Sequence, residues 1–270
     1  MRRIHRMLLI IGVFFCSACQ TKAAEPVRLT FAFQDVDNFP YEIGEGDAID
    51  MQKPGISIEL LQLVAQQLQI VIEYKRLPWK RCFLEMEKGT IDGVFSASFK
   101  PERLVSGVYP MQGDAPDVTR RMYSTSYMLY VRTGTKIRWD GSAFAPPPQK
   151  IAAIRGYSII DDLTAMGLTV EAVKDDYVAL KWLRANMFDS AALLELSGDA
   201  VLAQYRDELG GIEKLAPPLK IRDYYLMLSH QRVEQSPELA ENIWNAIQLI
   251  CKSEEFQRIV ERYGQERRAE

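Results

Sequence analysis

The sequence predicts an α/β protein made of two consecutive α/β units. Three observations carry this reading. Strand-like and helix-like patterns alternate from residue 27 to residue 95. The alternation restarts at residue 151, just past the run Pro146-Pro147-Pro148. And 270 residues are enough for one large domain or two small ones, each with a buried core.

The elements follow in order. Residues 27–33 alternate and are rich in β-formers, so they read as a strand. Gly, Asp and Pro crowd residues 35–55, which read as loop. Ile56, Leu60, Leu63, Val64 and Leu68 recur at helical spacing, predicting an amphipathic helix over 56–69. A strand over 70–76 follows. Pro78 then opens a short helix over 79–88, stopped by Gly89, and a third strand covers 91–95. Strand, helix, strand, helix, strand implies a mostly parallel sheet.

Residues 122–132 form a further extended run rich in Tyr and β-branched residues. The second unit reads as strand 151–154, helix 159–166, strand 168–173, helix 177–186, strand 190–194 and helix 199–209. Residues 224–228 are extended. Ser236-Pro237-Glu238 is a strong helix start, with Ser as N-cap, Pro at the first helical position and an acid in the first turn. That helix runs to about residue 252, and a last one covers 254–263.

The N-terminus has the pattern of a secretory signal. Arg2, Arg3 and Arg6 precede a stretch over 7–15 that is apolar apart from Gly12, and small residues follow. Residues 1–24 are therefore set apart from the fold. Cleavage near Ala23 or Ala24 gives a free soluble protein; cleavage after Ala18 leaves Cys19 first, as in a bacterial lipoprotein. We favour the former, because Cys16 stands where a lipoprotein signal usually has Leu. No later segment is apolar enough over about 18 residues to span a bilayer.

Without residues 1–24, 29 basic residues face 36 acidic ones, which argues against nucleic acid as a partner. The only histidines are His5 and His230, with no metal-ligand cluster and no Gly-x-Ser-x-Gly, so neither a metal site nor a nucleophilic triad is expected. No cofactor motif is present. Cys82 and Cys251 either pair, as an oxidising compartment allows, or remain two separate thiols.

Several residues have the chemistry to hold a small polar ligand. Arg103 carries a planar fork that can grip a carboxylate with two bonds. Ser96 and Ser98 sit just past a strand end, where α/β proteins bind ligands. Trp79 stands at the mouth of a helix and could present an aromatic face to a ligand or pack in the core. Arg155-Gly156-Tyr157-Ser158 lies between a strand and a helix, where Gly admits close backbone approach and the helix N-terminus favours an anion. Arg155 could meet an acidic group on a ligand or pair with Asp161 or Asp162. Glu195 follows the strand over 190–194 and is a candidate partner for a cation or an exposed helix-entry acid. Lys80 and Arg81 read as solvated helix charges.

Residues 55–103 read GISIELLQLVAQQLQIVIEYKRLPWKRCFLEMEKGTIDGVFSASFKPER. A Gly-hydrophobic helix start, a strand, an aromatic before a short helix, Gly-x-x-Asp-Gly, Ser-x-Ser and Pro-Glu-Arg come in that order. This run resembles the N-terminal lobe of the family 3 bacterial extracellular solute-binding proteins, the polar amino acid binders of ABC transporters. The likeness continues more weakly through Arg155 to Ser158 and through Ser190 to Leu193.

The resemblance implies a two-lobed periplasmic-binding-protein-like fold of type II, with two hinge strands and a central cleft. Lobe 1 would comprise residues 25–131 plus 222–270, lobe 2 residues 132–221, with hinges near 122–131 and 221–228. It further implies that Arg103, Ser96 and Ser98 hold a carboxylate, that Trp79 lies against the ligand, and that the turn with Arg155, Tyr157 and Ser158 completes the clamp. Glu195 stands where amino acid binders commonly use Asp for the ammonium group. Asn38, Phe39 and Tyr41 occupy the region of the relatives' aromatic lid. A monomer is implied, taking a small polar or carboxylate-bearing ligand to an ABC-transporter permease or a membrane sensor. The alternative implied by related sequences is a cyclohexadienyl-dehydratase-like enzyme with Glu195 as general acid.

Overall fold

The computed structural model describes residues 25–44 and 46–269. The expected signal segment and Cys19 lie outside the described residues. Among those residues, no helix is long and apolar enough to cross a membrane.

The first half holds β1 (Arg28–Gln34), α1 (Ile56–Leu68), β2 (Val71–Leu77), α2 (Trp79–Glu87) and β3 (Gly93–Ser98). A 3-10 turn at Pro101–Val105 and the short hairpin of β4 (Met111–Gln112) and β5 (Ala115–Pro116) follow. β6 (Tyr123–Arg132) then leads to the second half, with β7 (Ile151–Ile154), α3 (Ile159–Ala165), β8 (Val170–Val173), α4 (Asp176–Arg184), β9 (Ser190–Leu194), α5 (Glu195–Gln204) and α6 (Arg206–Leu209). β10 (Ile212–Leu228) returns the chain to the first half, where α7 (His230–Gln235), α8 (Pro237–Ile250) and α9 (Glu254–Ala269) close it.

The sheet runs β2-β1-β3-β10-β6-β9-β7-β8. β1 is parallel to β2 and β3, and β7 is parallel to β8 and β9, as the strand-helix-strand order requires. The two long strands in the middle join the lobes. Tyr224 to Leu228 of β10 pair with β3 in lobe 1, whereas Tyr127 to Val131 of β6 pair with β9 in lobe 2. β10 is far longer than the five residues that read as extended in the sequence. Its ladder to β6 is interrupted between Leu215 and Lys220, where Pro217 and Pro218 lack the donors that a ladder needs.

Strand alternation sends side chains to two faces of each lobe. In lobe 1, Phe31, Phe33 and Phe95 pack with α1 and α8 residues such as Ile58, Leu61, Ile243 and Trp244. Ala32 and Val94 face the other way, onto Cys82 and Met86 of α2. In lobe 2, Ala152 and Ile154 meet Leu180 and Leu183 of α4, while Ile151 and Ala153 meet Ile159 and Leu163 of α3. Each lobe is thus a sheet covered on both sides, with its own core.

Two local outcomes differ from the sequence reading, and one choice that it left open is decided. Ser236 stands at the N-cap position of α8, but its side chain makes no cap bond; the residue also terminates α7, which the periodicity did not reveal. The helix after β9 begins at Glu195 rather than Asp199. Cys82 and Cys251 are separate free thiols. Cys82 is buried in lobe 1 with its Sγ near the carbonyls of Phe33 and Leu77, and Cys251 caps α8.

Gly55 fixes the loop that precedes α1. It has φ 105, and a Cβ there would stand 2.3 Å from the Tyr41 carbonyl oxygen. Only glycine lets the loop over 38–44 lie against the start of α1. That contact places Glu42 beside Ser57.

Candidate functional site

The lobes meet over a small polar cavity lined by residues of both. Gln34, Asn38, Glu42, Trp79, Ser96, Ser98 and Arg103 come from lobe 1, and Tyr157, Ser158 and Leu194 from lobe 2, with Tyr127 and Tyr224 from the joining strands. The space between them is about 20 Å³, close to the room of one water. The cleft is closed.

Arg103 is the centre of this arrangement. Pro101 opens the 3-10 turn that carries it, and its side chain is buried at 9% exposure. The guanidinium carbon lies 4.8 Å from the Phe83 ring centre and 5.4 Å from that of Trp79. Nη1 donates to the Ser98 carbonyl at 2.6 Å and to Ser98 Oγ at 3.1 Å. Nη2 donates across the cleft to the Gly156 carbonyl at 3.3 Å. A planar cation held against aromatic faces, with donors aimed at the lobe junction, suits a carboxylate.

Other bonds cross the same junction. Ser98 Oγ lies 3.1 Å from Ser158 Oγ, and Tyr157 Oη donates to Gln34 Oε1 at 2.6 Å. Lys100 of lobe 1 pairs with Asp161 of lobe 2 at the rim. Gly156 makes this approach possible: a Cβ there would stand 3.2 Å from Trp79 Cδ1, at a φ of +83 that side chains resist. Burial keeps the Tyr157 and Tyr224 hydroxyls titrating well above the ordinary tyrosine range, so both stay neutral and able to donate.

Glu42 is the residue that sequence reasoning missed. Its carboxylate is fully buried in the cavity wall. It accepts from Asn38 Nδ2 at 2.6 Å, from Ser96 Oγ and from Ser57. These partners are neutral, and burial raises its pKa above the ordinary carboxyl value. Ser96 is turned onto it by a left-handed backbone, φ 57, which costs a non-glycine residue about 1–2 kcal/mol. Strain of this kind is kept where surroundings over-determine it. The signal in the sequence was weak: an acid flanked by Phe39, Pro40, Tyr41 and Ile43.

The expected residues distribute as follows. Trp79, Ser96, Ser98, Arg103, Tyr157 and Ser158 come together on the cavity. Arg155 does not line it; it faces a wider opening beside Trp79. Its two suggested partners are held elsewhere, Asp161 by Lys100 and Asp162 by Arg222. Glu195 is absent from the cavity lining as well. Because α5 starts at Glu195, its carboxylate turns to Lys214 of β10 at 2.6 Å, beside Asp199. Leu194 takes its place on the cavity wall. Phe39 and Tyr41 lie behind Glu42, and Tyr41 stacks on Tyr123 at 3.6 Å.

A second buried acid sits near the lobe junction. Asp176, the first residue of α4, accepts from Ser197 Oγ at 2.6 Å, and burial pushes its pKa up to about 7. The folded state then holds a proton that the unfolded chain releases near 3.8. Stability is accordingly expected to fall as pH rises from about 4 to 7, by up to about 4 kcal/mol. Urea unfolding of Asp176→Asn over that range should show a clearly smaller slope than the parent; an unchanged slope would refute the assignment.

No curated protein matches the sequence. Among solved structures, a histidine kinase sensor domain similar to periplasmic binding proteins matches at a TM-score of 0.68 and 17% identity, covering 88% of this chain and 96% of its own. The ligand-binding core of GluR0 from Nostoc punctiforme, in complex with L-glutamate, gives 0.67 and 16%, covering 87% and 98%. The substrate-binding protein of an amino acid ABC transporter gives 0.65 and 14%, covering 87% and 98%. These likenesses establish the two-lobed type II periplasmic-binding-protein fold. The family model for bacterial extracellular solute-binding proteins, family 3, matches residues 34–266, and the chain belongs to that family.

Proposed function

We propose that this chain captures a small carboxylate-bearing solute, an amino acid or a close derivative, between its lobes in the periplasm. The observation that carries the reading is Arg103, buried against two rings at the point where the lobes touch. In the closed form its Nη2 spends its donor on the Gly156 carbonyl. A ligand carboxylate would replace that weak contact with a charge-assisted pair and draw Ser98 and Ser158 around it. Glu42 offers the opposite charge in the same cavity, so the site is suited to a zwitterion.

An amino acid needs far more room than about 20 Å³. The lobes must therefore part to admit it and close again over it, a population shift that ligand binding drives. The closed form would be read by an ABC-transporter permease. A membrane sensor is the other candidate reader, supported by the likeness to a kinase sensor domain. The dehydratase alternative rested on Glu195, whose side chain is paired with Lys214 and does not line the cavity.

A thermal-shift screen of amino acids, their acylated derivatives and small dicarboxylates tests this. At least one should raise Tm by several degrees at a concentration of about 100 Kd, where linkage supplies about 2.7 kcal/mol. Silence across acidic, basic and neutral members would overturn the reading.

A further inference from the structure

We propose that the opening beside Trp79 is a second subsite, built to hold the acidic end of an extended ligand whose head lies on Arg103. This rests on the capture of an amino acid head group proposed above and deepens it by naming the side-chain class. The inner cavity has room for about one water, whereas the opening next to it measures about 520 Å³. Gln34, Trp79 and Tyr157 line both, so the two spaces adjoin across a wall made by these three side chains. With the lobes parted to admit it, a ligand seated on Arg103 would extend its side chain toward this opening along the Trp79 face.

The charges along that path are uneven. Among the described lining residues, Lys80, Arg155 and Lys174 stand against Asp35 alone. They come from both lobes: Lys80 from the first turn of α2, Arg155 from the turn after β7, and Lys174 from the end of β8. Closure gathers them, since a Cβ on Gly156, next to Arg155, would lie 3.8 Å from Lys80 Cγ. The acids nearest to Arg155 along the chain are already engaged by Lys100 and Arg222. Lys174 lies 3.5 Å from Asp175, but its side chain is 73% exposed and free to swing. Three cations collected by closure repel one another, and an anionic ligand terminus bound among them reverses the sign. The subsite therefore couples an acidic side chain to closure of the cleft. Lys80, which reads as a solvated helix charge in the sequence, acquires a role from its position at the lobe junction.

Calorimetric titration with three probes tests this: L-2-aminopimelate, L-2-amino-5-phosphonopentanoate and L-norleucine. The first two end in a carboxylate and a phosphonate, the third in a methyl group. At low salt, at least one acid-terminated probe should bind about tenfold or more tightly than norleucine, with the advantage shrinking as salt is raised. In the double variant Lys80→Ala/Arg155→Ala the ratio should fall to within about threefold of unity. Because the ratio is taken on one preparation, a misfolded fraction does not distort it. A preference for one acid-terminated probe tells a carboxylate from a phosphate ligand. Equal binding of all three sinks the subsite and leaves amino acid capture intact. An acid preference that survives the double variant sinks the residue assignment. Absence of binding by every probe sinks the subsite, while the capture reading stands or falls on the wider thermal-shift screen.

Discussion

Arg103→Ala is expected to weaken solute binding by about 2–5 kcal/mol, roughly 30-fold to several thousand-fold in Kd. The guanidinium is the only cation lining the inner cavity among the described residues, and it is buried. Removing it leaves a ligand carboxylate in the closed cleft without a partner, which is the costly half of breaking a buried pair. Arg103→Lys restores the charge but not the fork, and Lys cannot lie flat against Trp79 and Phe83 in the same way. Its Kd should fall between those of the parent and the Ala variant. Titration calorimetry on the ligand found by the screen reads all three proteins, with Tm recorded in parallel. An Ala variant that binds within threefold of the parent would remove Arg103 from the site.

Glu42→Gln is expected to cost a zwitterionic ligand about 2–4 kcal/mol, on the order of 30- to 1000-fold. The change is nearly isosteric. Gln can still accept from Ser96 through its one amide oxygen, and its amide NH2 can donate to Asn38 Oδ1, which lacks a partner in the parent, once the Asn38 amide turns over, so the wall should keep its shape while losing its charge. The free protein is expected to behave oppositely. Burial raises the Glu42 pKa, so the folded state binds a proton more tightly than the unfolded chain does. That makes the Glu42 contribution to stability fall as pH rises above the ordinary carboxyl value of 4.5. Glu42→Gln removes this penalty and should leave the ligand-free protein as stable as the parent or more so at neutral pH. An ammonium group placed beside Glu42 favours the ionised form, so binding should release a proton and affinity should rise with pH. Titrations in buffers of different ionisation enthalpy measure that release. Equal affinity of parent and variant for an amino acid, with no proton released, would show that Glu42 serves the fold alone.

The two predictions concern residues of very different legibility. Arg103 could be found because its neighbours form a local pattern: a strand, Ser-x-Ser, and Pro-Glu-Arg within eight residues, all of which fold together into one strand end and one turn. Ser158 and Tyr157 were found for the same reason, since a strand, a glycine and a helix start are encoded side by side. Glu42 has no such context. It lies in an irregular loop, and its burial depends on Gly55, Ser57 and Ser96, which reach it from other elements. A loop acid is ordinarily solvated, so composition gave no reason to separate it from Glu45 or Asp47.

Glu195 shows the converse. Its place after a buried strand matched the position of an ammonium-binding acid, yet the side chain turns to Lys214, nineteen residues further along and on another strand. Helix α5 starts earlier than its apolar spacing indicates, and that rotation decides which way the acid points. β10 was similarly underestimated, because Pro217 and Pro218 hide a strand whose two ends pair in different lobes.

By itself the sequence determined the α/β class, nearly every strand and helix of the two units, and the local half of the site. These follow from periodicity, glycine and proline punctuation, and short-range turns, all of which act over a few residues. Only the tertiary structure decided that the cleft is closed by Arg103 on Gly156 and Ser98 on Ser158. It alone buried Glu42 in the wall of the cavity that Arg103 also lines, sent Glu195 to Lys214, and gathered Lys80, Arg155 and Lys174 at one opening. Each of these is a meeting of groups far apart along the chain, and desolvation and charge pairing depend on distance in space.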